Sequence, residues 1–151
     1  MRLGDETMRI NQTARVPYSA RQMFDLVADI EAYPQFLPWC SDARVLDRTQ
    51  HEVTATIALS KGGIRQSFST RNRHHAHERI DLQLVDGPFR SLHGYWRFEP
   101  VGENGTTSNV SLHLEFEFRN RLLAMTFGRA FHHIANAMVD AFCERARAVY
   151  G

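Results

Sequence analysis

The longest regular pattern of apolar and polar positions runs through residues Arg121 to Tyr150. Phe127, Phe131, Ile134, Ala135, Met138, Val139, Phe142, Ala146 and Val149 recur at steps of three and four, which is one face of a helix with about 3.6 residues per turn. Arg129, His132, His133, Asn136, Asp140, Glu144 and Arg147 fall at similar steps on the opposite face. The spacing predicts a single helix roughly 40 Å long at about 1.5 Å per residue. Everything upstream has to supply the dry surface this helix lies on.

Upstream, residues 9–16 alternate loosely, with Ile10, Ala14 and Val16 on one side, and read as a first strand that Pro17 ends. Ser19 followed by Gln22 is a capping box, with Tyr18 placed to staple onto Met23. A short helix over Ala20–Ala28 follows, facing Met23, Phe24 and Val27 inward. Asp29–Phe36 predicts one more helical turn, interrupted by Pro34. From Ala43 the period becomes two. Val53, Ala55, Ile57 and Leu59 form one inward row, and Lys61-Gly62-Gly63 turns the chain into Ile64, Gln66, Phe68 and Thr70. Ile80, Leu82 and Leu84 come next. After the Asp86-Gly87-Pro88 turn follow Leu92, Gly94, Trp96 and Phe98, and finally Val110, Leu112, Leu114, Phe116 and Phe118.

The order is strand, short helices, five or six strands, then the long helix. Each strand has one dry and one wet face, so the expected fold class is α+β: an antiparallel sheet with helices on one side only. Seven strands at about 4.8 Å each make a sheet roughly 30 Å wide, whereas a helix with its side chains is only about 10 Å across. One helix covers such a sheet only if the sheet curls around it. The space left over is lined by aromatic and aliphatic rows. It is either an apolar ligand pocket or a gap that large side chains fill.

Composition changes this picture little. The chain has 151 residues, 43% hydrophobic and 23% charged, which suits one globular domain. Residues 1–7 read as a frayed leader and 8–151 as the single domain. A net charge of +1 leaves no bulk footprint for DNA, although a local basic patch is compatible with it. Cys40 and Cys143 do not make a disulfide framework, and a reducing cytoplasm is the natural setting. No apolar run approaches the length of about 18 residues that spans a bilayer.

Candidate chemistry is sparse. The segment 33–40, YPQFLPWC, sets Tyr33, Phe36, Leu37 and Trp39 between prolines. It reads either as a plug in the core or as a pocket mouth that dips into a membrane interface. Gln66 and Thr70 are polar positions on inward rows that suit a ligand carbonyl, and Gly94 reads as vacant space or a bulge. His75 and His77 would share a strand face, but no Cys or carboxylate completes a metal site. No GxSxG, Walker loop, HExxH or GxGxxG is present. His93, His113, Glu115 and Glu117 alternate onto the wet face, so no catalytic residue is assigned.

TARVPYSARQMFDLVADIEAYPQFLPWC, VDGPFRSLHGYWRFEP and LEFEFRNRLLAMTFGRAF together resemble the coenzyme Q-binding, START-like (SRPBCC, polyketide cyclase/dehydrase) family. The resemblance runs from about Ile10 to Tyr150, and is strongest to bacterial ribosome-association toxins. It implies the helix-grip fold, a curved antiparallel sheet wrapped around a long C-terminal helix with short N-terminal helices. It also implies a hydrophobic channel at Phe36, Leu37, Trp39, Phe68, Phe89, Trp96, Phe131 and Met138, with Gly87, Pro88 and Phe89 near its mouth. The expected function is non-enzymatic binding of ubiquinone or another prenylated quinone, as a carrier or chaperone supporting respiration. No cofactor is required; the quinone-like lipid is the bound ligand. Such a carrier would be cytoplasmic and peripheral at the inner membrane, touching it through Tyr33–Trp39. The alternative is a toxin on the large ribosomal subunit that blocks subunit association, with Arg71, Arg73, Arg79, Arg129 and Arg147 as phosphate contacts. A polyketide cyclase-like enzyme is third.

Overall fold

The period-two segments become seven strands. β1 spans Met8–Val16, β2 Cys40–Arg48, β3 Glu52–Lys61, β4 Ile64–His75, β5 Arg79–Asp86, β6 Phe89–Val101 and β7 Thr107–Phe118. They form one antiparallel sheet in the order β1-β7-β6-β5-β4-β3-β2. β2 to β7 is therefore a meander, and β1 closes against the last strand. The β3–β4 hairpin turns on Gly62 and Gly63, with φ of +59° and +81°. That left-handed pair matches the twist of the strands it joins, and residues with a Cβ resist it. The description comes from a computed structural model and covers residues 7–151; the leader expected at 1–7 lies, apart from Thr7, outside the described residues.

The chain crosses from the β1 edge to the β2 edge through α1, Ala20–Ala28, and a 3-10 turn, Ile30–Gln35. The capping box forms as the spacing requires. Gln22 N–H donates to Ser19 Oγ at 3.1 Å, and Ser19 N–H donates to Gln22 Oε1 at 2.8 Å. Met23, Phe24 and Val27 are buried. Pro34 lies inside the 3-10 turn instead of interrupting it. The Tyr33 carbonyl carries the chain past it by accepting from both Phe36 N–H and Leu37 N–H, at 3.2 and 2.9 Å.

The C-terminal helix is not continuous. α2, Arg121–Thr126, and α3, Gly128–Tyr150, meet at Phe127. None of the residues of α2 is buried, whereas the Phe127 ring enters the core 5.6 Å from Phe131 and 6.0 Å from Phe118. At the break the Phe127 ring is buried while α2 stays outside. Gly128 helps: a Cβ there would already touch the Phe118 ring at 3.4 Å. The 23 residues of α3 span about 34 Å at about 1.5 Å each. Phe131, Ile134, Ala135, Val139, Phe142 and Ala146 face the sheet. Val149, expected on the same stripe, is 49% exposed, since the last turn runs beyond the core. Among the described residues no helix is long and apolar enough to cross a membrane. The result is the α+β, START-like helix-grip.

Candidate functional site: an apolar cavity beneath the long helix

Between α3 and the sheet lies a cavity of about 90 Å³. α3 supplies Phe131, Ile134, Ala135 and Met138; the 30–40 segment supplies Ile30, Tyr33, Leu37, Trp39 and Cys40; strands β3 to β7 supply the rest. Leu37, Trp39, Phe68, Thr70, Trp96, Phe131 and Met138, nominated from sequence, all line it. Phe36, Gln66, Phe89 and Gly94 do not.

Each exception has a local cause. Phe36 faces an outer groove, with the Arg145 guanidinium 4.8 Å above its ring. Gln66 pairs with Leu59, which does line the cavity, but the Gln66 side chain is not part of the lining. Phe89 is locked into an aromatic cluster, 4.8 Å from Phe131 and 5.3 Å from Phe118, so it does not stand at a mouth. Gly94 is neither a vacancy nor a bulge. Its register with Leu114 is unbroken, and a Cβ would lie 2.0 Å from the His113 carbonyl oxygen. The glycine admits the backbone of β7, not a ligand.

The lining carries no carboxylate, imidazole, ammonium or guanidinium. Its two weak acids are held neutral. Burial pushes the Cys40 thiol up to about 11, and burial, then Cys40 and Asp29, raises the Tyr33 phenol strongly. The Tyr33 hydroxyl donates to the Val27 carbonyl at 2.5 Å.

One polar lining residue escaped the sequence reading. Asn72 is 6% exposed and accepts a 2.7 Å hydrogen bond from the Thr70 hydroxyl. Following the alternation of Phe68 and Thr70 by one more step reaches it. The run of charges from Arg71 onward drew attention away from the inward row.

Segment 33–40 is mostly plug. Tyr33 and Leu37 are buried, Phe36 and Trp39 half-buried, and only Pro34, Gln35 and Pro38 are exposed. Of the apolar residues expected to dip into a membrane, Tyr33 and Leu37 are turned inward, while Phe36 and Trp39 border an outer groove. His75 and His77 do not share a strand face either. β4 ends at His75, which bonds Asp81 at 2.9 Å. His77 sits in the following turn at φ +65°, its ring 5.4 Å from Phe24. Among the described residues no group of three or more ligating side chains gathers.

The outer face is polar. Arg9 at 2.9 Å, with His93 also at 2.9 Å, holds the Glu115 carboxyl below its usual range. The β5–β6 ladder stops at Gln83 and His93. Beside this seam Leu82 and Leu92 line both the interior cavity and an outer groove that carries Arg71, Arg73 and Arg90. Arg71 and Arg73 make no ion pair among the described residues. Arg79 is occupied, bonded to Asp81 at 2.5 Å and stacked 4.0 Å over Tyr95.

A sheet gripping a long helix around an apolar cavity is the fold class of lipid and hydrophobic-ligand binding proteins. Residues 16–143 match the polyketide cyclase/dehydrase and lipid transport family, and the chain belongs to it. It is 46% identical over 142 residues to the Escherichia coli (strain K12) ribosome association toxin RatA, covering 94% of this chain and 89% of that protein. It is 26% identical to the mitochondrial coenzyme Q-binding protein COQ10 homolog B of Xenopus laevis, covering 99% of this chain and 62% of that one. The fold superimposes on the Zhui aromatase/cyclase of Streptomyces sp. R1128 with a TM-score of 0.81, at 15% identity and 94% coverage of both chains. That last likeness concerns fold alone.

Proposed function

We propose that the protein associates with the large ribosomal subunit and controls subunit association. The observation that carries this is the 46% identity, along 94% of the chain, to a protein named for ribosome association. It reverses the order drawn from the family resemblance, which put quinone binding first. Arg71 and Arg73 beside the β5–β6 seam, with Arg129 and Arg147 on α3, are exposed cations suited to phosphate. Co-sedimentation with purified subunits across a salt series tests the reading. Binding should fall steeply with salt, and Arg71→Ala with Arg73→Ala should lower the logarithmic slope by about two. Absence of co-sedimentation at low salt sinks it.

A second reading concerns the interior. The uncharged cavity supports binding of a hydrophobic ligand, of which a prenylated quinone, named in the 26% identical relative, is the leading example. The void of about 90 Å³ is smaller than the roughly 150 Å³ that holds benzene, and well below the ~300 Å³ of small ligand pockets. A quinone ring therefore enters only as half-buried Trp39, Phe68 and Met138 swing outward. Mass spectrometry of an organic extract from protein purified out of its own cells tests this. Near-stoichiometric quinone, lost on Phe131→Asp in a folded variant, is the expected result; an empty extract from both counts against it. For a cyclase-like activity the lining offers only two weak acids, Cys40 and Tyr33, both held neutral, and no carboxylate or imidazole.

A further inference from the structure

We propose that Asn72 selects the occupant of the cavity, and that it selects for a carbonyl oxygen on an otherwise apolar molecule. The inference rests on the reading of this cavity as a ligand site. Thr70 and Asn72 are each 6% exposed on the inward row of β4. The Thr70 hydroxyl donates to Asn72 Oδ1 at 2.7 Å, which fixes the carboxamide and spends its oxygen on the protein.

The amide nitrogen is then the free end. It carries two protons, and no protein acceptor is bonded to it among the described residues. It is not sealed in either: the only buried side-chain nitrogen or oxygen without a partner, among the described residues, is His74 Nε2. The cross-strand neighbours of Asn72 are Val53 and Leu82, which offer no side-chain acceptor. Asn72 itself lines the void, so its N–H groups are the donors offered to an occupant. A donor held in apolar surroundings gains most from a ligand that brings only an acceptor and no proton of its own. A ketone or quinone oxygen meets that description, and a hydrocarbon does not.

Acetophenone, 1-phenylethanol and ethylbenzene share one carbon skeleton and differ only at this oxygen. Their affinities for wild type, Asn72→Leu and the double variant Thr70→Val/Asn72→Leu are to be measured by NMR titration. The acetophenone-to-ethylbenzene affinity ratio should fall about fivefold in both variants. The Asn72 side-chain NH₂ resonances should move on adding the ketone to wild type, and stay in place with ethylbenzene. The double variant removes both ends of the Thr70–Asn72 bond, so a fold loosened by a stranded hydroxyl does not confuse the result. An unchanged ratio in variants that still take up ethylbenzene overturns the role of Asn72 and leaves the cavity reading standing. Dependence on Asn72 seen for the alcohol but not the ketone overturns it too, since the amide would then face inward by its oxygen. Failure of all three compounds to bind wild type overturns the cavity reading, and this inference with it.

Discussion

β4 and β7 are both twelve residues long, lie in one sheet and turn one face toward the interior. β7 presents Val110, Leu112, Leu114, Phe116 and Phe118, all buried. Its two phenylalanines interlock with Phe89, Phe127 and Phe131 at ring separations from 4.8 to 6.3 Å. β4 presents Phe68 and then Thr70, Asn72 and His74. Phe68 still reaches the aromatic cluster, 5.6 Å from Phe89 and 6.0 Å from Phe131. Beyond it the row turns polar, and apolar neighbours packed tightly there would strand donors. The cavity opens at this change from rings to amides. Phe131 belongs to both regions, packed on one side and lining the void on the other.

The contrast breaks most visibly on the β7 side. Phe116→Ala removes a fully buried ring and should lower unfolding stability by about 3–5 kcal/mol, read by urea denaturation. A loss below about 1 kcal/mol would show that the cluster collapses into the gap, and the two rows would not differ as described. On the cavity side Ala135→Val adds methyl groups to the lining from α3. It should raise stability by about 0.5–1 kcal/mol and reduce uptake of small hydrocarbons; a decrease would place packed atoms where the void is described.

The smallest effect is at the end of the β4 row. Burial, then Arg48 and His75, hold the His74 imidazole below its ordinary value. The unfolded chain therefore takes up this proton first. The contribution of His74 is complete above its unfolded value, near about 6.5, and declines as pH falls from there toward the lowered folded value. His74→Phe should flatten that part of the stability profile. The Asp81 carboxyl is held low by Arg79 and His75 against the opposing effect of its partial burial. Its contribution is present above its usual value and is lost only in more acid solution, so the two windows separate. A slope near pH 6 that survives His74→Phe would assign the titration elsewhere.

What was legible in the chain follows the range of each interaction. The inward row of β7 and the Ser19–Gln22 cap depend on neighbours a few residues apart, and both were readable. The break at Phe127 was not, because the helical period continues through it; the cause is a ring that must reach Phe118 across the fold. Gly94 illustrates a different failure. A glycine in a strand reports space and close approach by the same letter, and only the backbone of β7 decides between them. Phe36 and Phe89 were nominated through the family resemblance, yet the side each faces is set by the 3-10 turn and the β5–β6 turn. Asn72 was within reach of simple alternation. The charges of Arg71 and Arg73, pointing outward beside it, masked an inward position.

The protein contains two tryptophans, Trp39 and Trp96, and both line the cavity. Trp96 is 3% exposed, while Trp39 is half-buried and also borders the outer groove beside Phe36. No other indole emits from this molecule. Its fluorescence is in effect a gauge of what fills the interior: water drawn away from Trp39 shifts the emission to the blue, and a quinoid ring beside either indole darkens it.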